Sequence, residues 1–178
     1  MYKMCIVTGP SCCGKTTFLK QRNHKAISEI TRLPTGCPVI PANSFPSKQQ
    51  QRNEKLKHLD IYVHMFLEHK PHKPRKPWHP KWHRIHAFPA KKRVIVLGVP
   101  LIVLQSRIRK RLMKDPRRRT MKGIWCNGFS KNAQDMIGSY KAWIDHLEEQ
   151  NIPFLFVHCA DEGYSVLCRT DFFSMLRQ

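Results

Sequence analysis

The feature that most restricts this chain is a short apolar run, Met4 to Thr8, ending directly in Gly9-Pro10-Ser11-Cys12-Cys13-Gly14-Lys15-Thr16, with Thr17 after it. The spacing is GxxxxGK[ST], and each fixed residue type has a physical duty. Glycines reach backbone dihedrals closed to other residues and let the main chain approach a ligand closely. Successive N–H groups can then curve around phosphate oxygens, and the helix that follows points its positive end at them. Lys15 is placed to contact the outer phosphates of a nucleotide and Thr16 to ligate Mg²⁺. Cys12 and Cys13 share the loop, where amides can lower a thiol's pKa and make activity oxidation-sensitive. The plainer reading is that they are small residues that fit the turn.

Periodicity extends the pattern along the chain. Helix is expected from Gly14 to about Arg22 and from Ala26 to Arg32, the second stopped by Pro34 and Gly36. Thr35 to Lys48 reads as an irregular loop with a short strand at Val39-Ile40, and Gln49 to Lys57 as a polar, helix-compatible run. His58 to Leu67 is β-branched and aromatic, a second buried strand. Val94 to Leu104 carries the strongest strand signal, broken by Gly98 and Pro100, and Leu101 to Met113 continues as helix. Ser130 can cap a long helix to Glu149 with Met136, Tyr140, Trp143 and Leu147 on one face. Ile152 to Cys159 is the last core strand, and Gly163 to Leu176 reads as a terminal helix. Strands alternating with helices predict an α/β fold, a parallel β-sheet flanked by helices. The 178 residues suit one domain, 1–178.

The most biased segment is His69 to Arg93, an insertion between core elements. It holds five of the ten His, five of the thirteen Pro, Trp78, Trp82 and nine Lys/Arg. Prolines 71, 74, 77 and 80 recur every third residue, which favours extended, polyproline-like backbone over helix. Lys73, Arg75, Lys76, Lys81 and Arg84 around Trp78 and Trp82 supply cations for a phosphate backbone and rings for bases. This is a candidate nucleic-acid track. The clustered His residues are a poor zinc site, because nothing in such a backbone gathers them around one ion.

The whole chain is basic, with 32 Lys+Arg against 12 Asp+Glu, a formal charge of +20. Fourteen of those cations fall in an acid-free stretch from His69 to Lys114, so the excess is concentrated and favours a polyanionic partner such as a nucleic acid. No run approaches the roughly 18 apolar residues of a membrane span, so no membrane partner is expected. Seven cysteines without a CxxC pair, and no signal peptide, are read as thiols of an intracellular, cytoplasmic protein.

Beyond the glycine loop, VIVLGVPLIVLQSRIRKRL resembles the part of P-loop nucleoside and nucleotide kinases where a core strand enters a helix bearing lid arginines. The helix SYKAWIDHLEEQN, the strand IPFLFVHC and the loop CADEGYSV follow in the same order. The resemblance covers residues 1–22 and 94–178. It implies a P-loop NTPase fold of the nucleotide-kinase-like type, a lid-like region at about 105–125, and ATP (alternatively GTP) with Mg²⁺ as cofactors. Arg107 and Arg111 correspond to the lid arginines, with Arg109 and Arg117 as alternates; their role would be to clamp the transferring phosphate. Asp161 would border the nucleotide base. Phage-type enzymes that phosphorylate hydroxymethylated pyrimidines in DNA belong to this group, as do polynucleotide 5′-hydroxyl kinases.

The chain departs from the pattern in one place. Many kinases of this class carry an Asp in the strand that Gly98 ends, and this strand has none. The base or metal-anchoring carboxylate is expected elsewhere, at Glu68 or at Asp60, with His64 as a further candidate base. Three functions follow as expectations: a kinase acting on a nucleic-acid hydroxyl, a kinase of a free nucleoside, nucleotide or metabolite, or a nucleic-acid-binding NTPase without an acceptor.

Overall fold

The computed structural model describes residues 3–47, 60–65, 67, 79–114 and 133–178. The elements in chain order are β1 (Met4–Thr8), α1 (Lys15–Lys20), α2 (Lys25–Thr31), β2 (Val39–Pro41) and β3 (Ile61–His64). There follow α3 (Trp82–Ala87), β4 (Lys92–Gly98), α4 (Leu101–Lys114), α5 (Ala133–Glu149), β5 (Phe154–Ala160), β6 (Gly163–Leu167) and α6 (Arg169–Leu176). The six strands form one sheet in the order β2-β3-β1-β4-β5-β6, flanked by helices.

The first five strands run parallel, with Val7 opposite His64 on one side of β1 and opposite Ile95 on the other. Such strands are covered on both faces, which is why β1 and the end of β4 are continuous apolar runs and fully buried. Helix α5 closes the core over them. Its Tyr140 hydroxyl donates to the Leu97 carbonyl at 2.5 Å, and Trp143 Nε1 donates to the Thr8 hydroxyl at 3.2 Å. That hydroxyl donates onward to the Ile95 carbonyl, so the buried polar groups are paired and tie α5 to both central strands.

Gly98 leaves no room for an acid, or for any side chain, at its own position. A Cβ there would lie 2.6 Å from the ring of Phe172, so α6 occupies the space a side chain would need. Phe172 in turn stacks on Phe156, at 4.6 Å between centroids, and meets Tyr140 edge-on. The end of β4 is a packing seam.

Three expectations require correction. Gly163 does not begin a helix: Asp161 and Glu162 form a two-residue turn, Gly163 takes φ 149°, and β6 returns antiparallel to β5 as far as Leu167. The sheet is therefore mixed, and the terminal helix is only Arg169–Leu176. Second, Trp82–Ala87 is helical, not extended, and starts just past Pro80, the last of the regularly spaced prolines. Third, the strand expected from His58 to Leu67 is limited to Ile61–His64 among the described residues. The Gln49–Lys57 run and the cap at Ser130 lie outside those residues, as does the lid-like region beyond Lys114. Among the described residues no helix is long and apolar enough to cross a membrane.

Candidate functional site

The glycine loop leaves β1 at the carboxyl ends of the parallel strands, where open α/β sheets form their clefts. Its shape follows from three residues with positive φ: Gly9 (148°), Cys12 (69°) and Gly14 (104°). Cys12 is a non-glycine held in the left-handed region, a strain that persists only where the surroundings fix it. Alternation of hand along a loop turns successive N–H groups inward, the concavity that suits an anion. Gly9 has no room for a side chain: a Cβ would stand 2.6 Å from Cys13 Sγ and 2.7 Å from the Leu97 carbonyl oxygen. Gly9→Ala is therefore expected to cost roughly 1–3 kcal/mol, read as a lower urea midpoint.

Lys15 is 5% exposed, and its ammonium donates to the carbonyls of Gly9 (2.8 Å) and Pro10 (2.5 Å). Its third neighbour is Cys13 Sγ at 3.8 Å, a weak acceptor that a phosphate oxygen would outcompete. The loop thus has a buried cation held at its rim by its own backbone.

A cleft of about 780 Å³ opens over this loop, a size that suits a small-molecule ligand. Ser11, Cys12 and Gly14 to Thr17 form its floor; His64 from β3, Arg107 and Arg111 from α4, and Cys159 to Tyr164 from the β5–β6 hairpin form its walls. Arg107 and Arg111 sit one turn apart on a single face. Arg107 Nη2 bonds Asp161 at 2.9 Å, and Arg111 Nη1 lies 3.6 Å from Cys12 Sγ, so α4 leans its cations onto the loop. Asp161 is almost fully exposed, so that pair adds little stability; it orients the guanidinium. Arg109 is exposed and does not line the cleft, and Arg117 lies outside the described residues.

His64 ends β3 beside Lys15. Burial first, then the Lys15 charge, push its pKa down to about 4, so the ring is neutral at pH 7. The Cys13 thiol is fully buried and its pKa is raised by that burial, with Lys15 opposing it. Cys13 is therefore not the activated thiol that its place in the loop suggested. Gln21 also lines the cleft and was missed by sequence reasoning; Cys159, Glu162 and Tyr164 line it too and belong to the loop CADEGYSV, of which only Asp161 was singled out. The rule that parallel sheets bind at strand carboxyl ends pointed to Cys159, because it lies at the end of β5.

Two further expectations fail. Asp60 precedes β3 and pairs with Lys3 at 3.1 Å, at the end of the sheet opposite the loop, so it cannot anchor a metal there. Trp82 is 4% exposed and belongs to the core. Its ring meets Trp143 edge-on at 4.8 Å, and its Nε1 donates to His146 Nε2 at 2.8 Å. It has no face left for a base. Of the other residues assigned to the nucleic-acid track, Lys81 donates to the Asn43 carbonyl and Arg84 is half-buried. Lys73, Arg75, Lys76 and Trp78 lie outside the described residues, as does Glu68.

The lining residues fit an oligophosphate: a concave backbone, a buried ammonium and two guanidinium groups face one space. For a divalent ion they offer the exposed Thr16 hydroxyl. That fits Mg²⁺, which keeps several waters and takes phosphate oxygens with few protein ligands. Among the described residues, no three His, Cys, Asp or Glu side chains gather into a metal cage.

A solved structure with a similar fold comes from the PezAT chromosomal toxin-antitoxin system of the human pathogen Streptococcus pneumoniae. The TM-score is 0.51 at 11% identity, covering 98% of this chain and 78% of the other. Likeness at that identity shows the fold alone. No protein-family model matches the chain, and none of the curated proteins is detectably similar to it.

Proposed function

We propose that the chain is a P-loop kinase that transfers the γ-phosphoryl group of ATP, with Mg²⁺, to a hydroxyl group on a nucleic acid. The observation that carries this reading is the convergence of Lys15, Arg107 and Arg111 on one glycine-shaped loop. In such a transfer the acceptor oxygen bonds to the γ-phosphorus, the bond to the β-phosphate oxygen breaks, and ADP leaves. The hydroxyl proton must go to a base or to water. Charge spreads over the moving phosphoryl oxygens, and preorganised cations stabilise that charge more than they stabilise bound ATP. Lys15 and the loop amides would hold the β- and γ-phosphates, Thr16 the ion, and the two arginines the transferring group.

The nucleic-acid acceptor is supported by the charge of +20 and by the acid-free stretch from His69 to Lys114, which runs into the arginine-bearing helix. DNA carrying hydroxymethylated bases, or 5′-hydroxyl ends, are the acceptors that the resemblance favours. One observation favours a second reading, a kinase of a free nucleoside, nucleotide or small metabolite: Trp82, half of the aromatic pair assigned to base stacking, is in the core.

Incubation with γ-labelled ATP and a panel of acceptors separates these readings. The panel holds duplex DNA, single strands, hydroxymethylated DNA and free nucleosides and nucleotides. Label on a nucleic acid supports the first reading; label only on free nucleotides overturns it in favour of the second. Arg107→Ala and Arg111→Ala are each expected to lower kcat/KM by about 10²–10³-fold. Arg109→Ala, outside the cleft, should stay within about twofold of wild type.

A further inference from the structure

Phosphoryl transfer needs a group beside the acceptor hydroxyl, and the cleft offers few among its described residues. Asp161 is engaged by Arg107 and sits with Glu162 in the β5–β6 turn, on the far side of β1 from β3. Asp60 is at the wrong end of the sheet. Among the described residues, the β3 side contributes one titratable side chain to the lining, His64.

Sheet register fixes its place. His64 is the last residue of β3 and pairs with Val7, two residues before Gly9. The chain beyond it stays on the loop: Met65 N–H donates to the Val7 carbonyl and Leu67 N–H to the Gly9 carbonyl, both at 3.0 Å. The end of β3 therefore follows one rim of the loop, while α4 brings its arginines from the β4 side.

We propose that His64 binds the acceptor hydroxyl and takes its proton during transfer, so that the acceptor enters along β3 while Arg107 and Arg111 hold the donor phosphates. This rests on the phosphotransferase reading above. As the acceptor oxygen bonds to phosphorus and ADP departs, the hydroxyl proton passes to the imidazole and is lost to solvent after product release.

Among the described residues, the charged groups that share the cleft with the ring are Lys15 from the loop, Arg107 and Arg111 from α4, and Asp161 and Glu162 from the hairpin turn. Burial first, and then the Lys15 charge, hold the free ring's pKa near 4. A bound triphosphate adds negative charge beside Lys15 and raises it toward the ordinary histidine value, closer to the working pH where a base is most effective.

The test combines two measurements. Histidine-labelled wild-type protein is titrated by NMR with and without Mg²⁺ and a non-hydrolysable ATP analogue. The His64 ring pKa is expected to rise from about 4 to above about 5. His64→Gln and His64→Asn are then assayed with MgATP, using water and hydroxymethylated duplex DNA as acceptors. We expect kcat to fall about 10²-fold or more, KM for ATP to stay within about twofold, and the acid limb of the kcat profile to vanish. If the analogue does not bind, the phosphotransferase reading falls and this inference with it. If it binds while both variants keep kcat within about twofold, that reading stands and His64 is overturned as the proton acceptor. Should the variants not fold, the wild-type titration decides: a ring whose pKa the analogue leaves unmoved overturns the proposal.

Discussion

Replacing Lys15 with alanine is expected to lower phosphoryl transfer by about 10³-fold, at the upper end of what losing one charge-stabilising donor costs. The reason lies in its burial. An ammonium that is 5% exposed acts in a medium of low effective dielectric, where its attraction for a developing phosphoryl charge is far stronger than in water. The Gly9 and Pro10 carbonyls fix its position before any ligand arrives. Lys15→Arg should fail nearly as badly, because a planar fork cannot fill the place of a compact ammonium between those carbonyls. The measurement is kcat with labelled ATP, and a thermal melt on the same samples separates lost chemistry from lost fold.

The second large effect concerns stability. Trp82→Ala is expected to cost about 3–5 kcal/mol, the usual penalty for removing a buried aromatic ring. It removes the edge-on contact with Trp143, the stacked contact with His86 and the hydrogen bond to His146. Loss of the indole also leaves His146 Nε2 without this donor, in a partly buried position. A urea melt measures the cost directly. Had Trp82 been a stacking residue on an exposed track, the same change would leave stability almost untouched and weaken nucleic-acid binding instead.

That contrast shows where the sequence could be read and where it could not. The glycine loop was legible because its backbone demands particular residue types at particular spacings, and Gly9 and Gly14 do adopt positive φ. The α4 arginines were legible because Pro100 suits a helix start and residues four apart share a face. Trp82 was misread because four evenly spaced prolines dominated the segment's local signal. The apolar spacing of Trp82, Ile85 and Phe88, all three buried, was the weaker clue to a core-facing helix. The β5–β6 hairpin was missed because Tyr164 and Val166 are too short an alternation to outweigh the helix signal after them. Asp60 and His64 lie four residues apart on one stretch of chain. Only the parallel register with β1 decides that the histidine reaches the loop and the aspartate does not.

The kinase reading requires first that this cleft hold a nucleoside triphosphate. Calorimetric titration of the full chain with MgATP should show one site per chain, with a dissociation constant between about 1 μM and 1 mM, the span usual for such substrates. Binding should weaken at least tenfold when Arg107 and Arg111 are both replaced with alanine. No binding of MgATP or MgGTP by the folded wild-type protein, or binding that both arginine replacements leave unchanged, would contradict it.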